Sequence, residues 1–144
     1  MPAQLGKPVG LPWKLPVPST SFVAGPTFQP GVTSVLRWTY EGNSEFVEVP
    51  VDGIIEQSLN FSGVVAHRCI YDVLCEAELI KLAYDNLLDL GKTNWLAALR
   101  AGSERAHFGG GKSLKHVAIF FDEGPCYEFI CEGVGVFEKL IPPG

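Results

Sequence analysis

The run Ala106-His107-Phe108-Gly109-Gly110-Gly111-Lys112-Ser113 comes nearer to a chemical motif than any other stretch of this chain. Glycine amides followed by Lys-Ser are the tools with which a phosphate loop cradles a nucleotide. Ala106, however, stands where that pattern has its first glycine. The mechanism also needs a strand before the loop and a helix after it, whose first amides hold the phosphates. Here a helical pattern precedes the loop, and Leu114 to Phe121 reads as a strand after it. That order argues against nucleotide chemistry. A milder use survives. Arg100, Arg105, His107, Lys112, Ser113, Lys115 and His116 surround flexible glycine amides, and such a loop can hold a small anion. The bland alternative is a solvated basic loop.

Other reactive side chains are scattered. Cys69, Cys75, Cys126 and Cys131 lack the close pairs of a zinc module, and His67-x-Cys69 matches no standard spacing. No metal and no cofactor are expected. His67, on a strand face with Val65 and Cys69, reads as a half-buried hydrogen-bonded histidine rather than a base. Glu128 and Glu132 share a strand face and could form a carboxylate pair, but solvated outward residues are the simpler expectation. No catalytic residue is assigned, and no nucleophile elbow, zinc-protease or dinucleotide signature is present.

Several elements must position these groups. Seven of the eleven prolines fall in the first 30 residues. Within that stretch Val9, Leu11, Trp13, Leu15 and Val17 alternate with prolines, Gly10 and Lys14, which puts every apolar residue on one side of an extended chain. Proline cannot donate to a ladder, so residues 1–33 read as an arm or edge strand packed on the core or on a partner, with Leu11, Trp13 and Leu15 as its contact residues. Residues 34–144 read as a single domain.

Within it, Leu36, Trp38 and Tyr40 share a strand face. Phe46 to Val51 and Ile54 to Phe61 flank Asp52-Gly53, a hairpin signal. Val64 to Tyr71 reads as a fourth strand. The period then lengthens: Val73, Ala77, Ile80, Tyr84, Leu87 and Leu88 recur at helical spacing, with Asp72 to start a helix and Gly91 to stop it. Thr93 can cap a second, short helix through Trp95, Leu96, Leu99 and Arg100, stopped near Gly102. Val117 to Phe121 and Cys126 to Glu132 form a last hairpin. The expected fold is α+β: an antiparallel sheet of about five to seven strands packed on one long and one short helix, behind a Pro-rich arm.

The chain has 144 residues, of which 47% are hydrophobic and 19% charged, so it has enough apolar matter for a core. Its net charge of −5 disfavours nucleic acid as a partner, and no apolar run is long enough for a membrane helix. The charge is unevenly placed: +3 over 1–40, −8 over 41–90, +4 over 91–121 and −4 over 122–144. With no basic-then-apolar leader and no disulfide framework, a cytoplasmic location with four free thiols is expected. Two functions follow. The first is a non-enzymatic interaction module, inhibitor- or immunity-like, whose acidic surface covers a basic partner and whose arm favours a homodimer or another protein partner. The second is a small-molecule or anion-binding domain, with room for an enzyme, that uses the basic loop 100–116.

Overall fold

A computed structural model describes residues 7–70, 77–105, 114–122 and 125–143. Strands dominate it. The proline-rich segment supplies β1 (Lys7–Pro8), β2 (Trp13–Lys14) and β3 (Ala24–Gln29). The chain continues through β4 (Ser34–Glu41), β5 (Ile54–Ser62) and β6 (Ala66–Ile70). A short helix α1 (Ala77–Ala83), strand β7 (Asn86–Asp89) and helix α2 (Asn94–Arg105) follow. Strands β8 (Lys115–Phe120), β9 (Cys126–Cys131) and β10 (Gly133–Ile141) complete the described elements.

These strands form two five-stranded antiparallel sheets, ordered β1-β10-β5-β4-β3 and β2-β7-β8-β9-β6. The architecture is therefore mostly β and sandwich-like, and the expectation of one α+β sheet lying on a long and a short helix is overturned. Two local causes explain the difference. The expected long helix stops at Ala83, because Asp85 adopts a positive φ of 56° and turns the chain into β7. In β7, Leu87 enters the main core while Leu88 packs on the opposite face. A strand covered on both faces presents a continuous apolar run, and such a run mimics a helix repeat. The second cause is the arm, whose short strands pair with β10, β7 and β4 of the same chain. The Asp52-Gly53 signal also led astray. Gly53 does take a positive φ of 111°, but Phe46 to Val51 form no strand, and residues 42–53 are the connection between β4 and β5.

The inner faces of the two sheets meet in one apolar core. Leu36, Trp38, Leu59 and Phe61 come from the first sheet, and Val117, Ile119, Tyr127 and Phe129 from the second. Phe61 and Phe129 stack with ring centroids 3.9 Å apart, joining the sheets through two fully buried rings. Leu15 and Val17 of the arm are buried in the same core, and Leu11 and Trp13 pack half-buried against it. The arm is fastened by polar contacts as well. The Leu15 amide donates to the Asp85 carbonyl at 3.0 Å. Ser19 donates its amide and its hydroxyl to the Asp85 carboxylate, and its oxygen accepts the Asp122 amide.

The outer face of the second sheet has its own cover. Helix α1 lies over Ala118, Phe120 and Cys126 through Leu79 and Ala83. Helix α2 lies over Ile130 and Leu114 through Trp95, Leu96 and Leu99. Among the described residues no helix is long and apolar enough to cross a membrane.

Candidate functional site

Between those two helix-covered patches the outer face of the second sheet turns polar. Alternation along β8 sends Val117 and Ile119 inward and His116 and Ala118 outward. Along β9 it sends Phe129 and Tyr127 inward and Glu128 and Ile130 outward. Glu128 lies opposite Ala118 on β8 and opposite Arg68 on β6, so His116 is its diagonal neighbour. The sheet register alone brings an acid, an imidazole and a guanidinium together.

Glu128 is 1% exposed and His116 2%. His116 Nε2 lies 2.7 Å from Glu128 Oε1. Arg68 closes on the same carboxylate with both fork nitrogens: Nε donates to Oε2 at 3.2 Å and Nη2 to Oε1 at 3.0 Å. Burial works to raise the pKa of Glu128. The hydrogen bonds from His116 and Arg68, with the guanidinium charge, outweigh burial and hold the pKa below the ordinary carboxylate value. The Arg68 side chain stays 44% exposed, and Trp95 of α2 packs on both partners of the carboxylate. Its ring lies 4.1 Å from the Arg68 guanidinium carbon and meets the His116 ring edge-on at 5.1 Å.

The other imidazole nitrogen points to α2. Thr93 Oγ1 lies 2.7 Å from His116 Nδ1, and the same oxygen accepts the Leu96 amide at 3.2 Å. Thr93 is thus the N-cap of α2, as its place in the sequence suggests. The ionised carboxylate can only accept, so the neutral imidazole carries its hydrogen on Nε2. Nδ1 is then the acceptor, and the Thr93 hydroxyl donates to it. The ordered chain is hydroxyl, imidazole, carboxylate, guanidinium.

A cleft of about 430 Å³ opens beside this chain, between α2 and the start of β8. Lys92, Arg100 and Lys115 bring three cationic side chains to it, Leu96 and Leu114 give an apolar floor, and Asp89 is its one acid. That carboxylate already accepts the Gly91 amide at 2.8 Å. Arg100 is steadied by a bond from Nη2 to the Leu114 carbonyl at 2.7 Å. Its Nε is buried and has no hydrogen-bond partner among the described residues. A neighbouring recess of about 310 Å³ shares Lys92 and Arg100 with the cleft and reaches Thr93.

The residues singled out in the sequence fare differently. Arg100 and Lys115 line the cleft. His116 sits behind it, buried, rather than in an exposed loop. Arg105 is the last residue of α2, and nothing of its side chain is described. His107, Lys112 and Ser113 lie outside the described residues, as do most of the glycine loop and Cys75. His67 and Cys69 do not join the site. His67 is exposed, and its ring meets Phe28 at 5.2 Å on the opposite face of β6 from Arg68. Cys69 and Cys131 are free thiols, and burial pushes the Cys131 thiol up to about 12. Among the described residues no group of three or more His, Cys, Asp or Glu is placed to hold a metal. Glu132 is exposed, whereas Glu128 points outward as expected but is buried rather than solvated, since α2 covers that face. The available signal was its company: Cys126 and Ile130 flank it at the same alternation, so an acid occupied an apolar series.

Set against protein-family models, curated proteins and solved structures, the chain matches none.

Proposed function

We propose that this chain binds a small anionic ligand in the cleft between α2 and β8. One observation carries the reading: Lys92, Arg100 and Lys115 line a single concave site on a protein of net charge −5. Cations clustered against the overall charge make a local attraction for anions. Leu96 and Leu114 add an apolar wall, the usual company of a few placed polar groups in a ligand site. Titration with inorganic phosphate, followed by the backbone amide NMR shifts of Gly91, Leu96 and Leu114, tests it. Saturable shifts that Arg100→Gln abolishes are expected. Unchanged amides at high phosphate would sink the reading. A ligand at 100 times its Kd would also raise stability by about 2.7 kcal/mol.

A second reading, a protein-interaction module, rests on the connection between β4 and β5. Phe46 and Val49 are 50% and 74% exposed there, beside Glu45, Glu48 and Asp52. Apolar side chains ringed by acids suit a partner with a basic, partly apolar surface, as an inhibitor- or immunity-like protein would meet. The double substitution Phe46→Ser, Val49→Ser should abolish salt-sensitive binding to such a partner and leave phosphate binding intact.

A further inference from the structure

We propose that Thr93 is an acyl-accepting nucleophile, and that the substrate is an ester or thioester bearing an anionic group. The substrate class rests on the reading of the adjoining cleft as an anion site; the nucleophile rests on separate geometry.

That geometry is the order of donors behind Thr93. With the ring neutral, Arg68 and the His116 Nε2–H both donate to Glu128, which leaves the Nδ1 lone pair facing the Thr93 hydroxyl, 2.7 Å away. A hydroxyl donating to an imidazole whose far nitrogen donates to a carboxylate has the polarity of nucleophile, general base and orienting acid. A helix cap does not require this. Capping is met once Thr93 Oγ1 accepts the Leu96 amide. Burying an imidazole and a carboxylate behind that oxygen adds a desolvation cost that capping alone does not explain.

Thr93 also has access. It lines the recess of about 310 Å³ that Lys92 and Arg100 share with the larger cleft. An anionic group held by those cations places the ester carbonyl within the same recess. The amides of Asn94 and Trp95 open α2 next to Thr93, where helix geometry gives them no carbonyl one turn back, and we assign them to the oxygen of a tetrahedral intermediate.

The reaction balances with water as the only co-reactant. Thr93 Oγ forms a bond to the acyl carbon, and its proton passes to His116 Nδ1. The carbon–oxygen or carbon–sulfur bond of the substrate breaks, and the leaving alcohol or thiol takes that proton. Water then attacks the acyl-Thr93 ester, gives a proton to Nδ1, and releases the carboxylic acid as Nδ1 returns the proton to Thr93.

The test uses the full chain with two activated esters, the mono-4-nitrophenyl ester of succinic acid and uncharged 4-nitrophenyl acetate. Mass spectrometry locates the acyl group, and nitrophenolate release gives its rate. An adduct on Thr93 is expected, retained in Thr93→Ser and absent in Thr93→Val. Replacing His116 by Asn should slow Thr93 acylation by about 100-fold, the usual scale of a general base. Inorganic phosphate should slow the succinyl ester more than the acetyl ester. Far-ultraviolet circular dichroism of each variant checks folding, and Thr93→Ser keeps the test decisive if Thr93→Val unfolds. Acylation on Lys92 alone, or equal labelling of Thr93 in His116→Asn, would overturn the nucleophile. Phosphate-induced amide shifts with no Thr93 adduct would leave the anion site standing and remove this proposal. Labelling of Thr93 with no preference for the charged ester, together with no phosphate shifts, would keep the nucleophile and remove the anionic substrate class.

Discussion

The two sheets share one core and differ in what their outer faces meet. Strand β4 of the first sheet alternates strictly, with Leu36, Trp38 and Tyr40 buried and Arg37 and Glu41 exposed. Strand β9 of the second sheet is buried at every position from Cys126 to Cys131. Along β4 the far side of the first sheet meets water, so a polar residue such as Arg37 is cheap and individually replaceable there, whereas Ser58 and Asn60 of the central strand β5 are buried. The second has α1 and α2 on its far side, so a polar residue there must find partners or destabilise the fold. Arg37 and Glu56 illustrate the first case, a half-exposed pair at 3.6 Å. Arg68, Glu128 and His116 illustrate the second, a buried carboxylate whose two oxygens are both engaged, by a buried imidazole and by a guanidinium that itself stays 44% exposed. Helix cover, rather than residue type, turns an ordinary acid on a strand into a candidate functional group.

The contrast can be broken in graded steps. The largest effect should come from the residue pair that belongs to both sheets. Phe61→Ala removes a fully buried ring stacked on Phe129, and a loss of about 3–5 kcal/mol is expected in urea unfolding. Next, Glu128→Ala leaves the His116 Nε2–H without its acceptor in a closed site and should cost about 3 kcal/mol. The pH dependence should follow the same residue. The folded-state pKa of Glu128 is lowered, so its contribution is fully present above the unfolded value of about 4.5 and is lost as pH falls through the folded value. Acid unfolding curves should therefore show a steeper loss below about pH 4.5 in the natural protein than in Glu128→Gln. Thr93→Ala removes the cap of α2 and should cost about 1 kcal/mol by thermal melting. The smallest effect belongs to the open face: Arg37→Ala should change stability by less than about 0.5 kcal/mol. A loss in Arg37→Ala as large as that in Glu128→Ala would erase the distinction between the faces.

Much of the strand content was legible because one-sided burial writes a period of two into the sequence. Leu36, Trp38 and Tyr40 announce the inner face of β4, and the apolar alternation from Val9 to Val17 announces an extended arm. The second sheet is harder to read for the reason that makes it interesting. Leu87, Leu88 and the run Cys126 to Cys131 are covered on both sides, so alternation disappears and helix and strand become hard to tell apart. The candidate site was legible only in part. Arg100, Lys115, His116 and Glu128 fall within one stretch of sequence, with Glu128 12 residues from His116, but Arg68 reaches Glu128 only through strand pairing across 60 residues. Thr93 was legible as a cap, since capping is local. Its contact with His116 depends on where α2 lies over the sheet, which no local pattern specifies.

The account turns most on how His116 is protonated when its ring is neutral. Nitrogen-15 NMR of protein labelled in the histidine rings reads this directly. The account predicts that the Glu128-facing Nε2 of His116 bears the hydrogen and that Nδ1, facing Thr93, has the shift of an unprotonated acceptor. The reverse tautomer, with hydrogen on Nδ1, would contradict it, because the Thr93 hydroxyl would then have no base to take its proton.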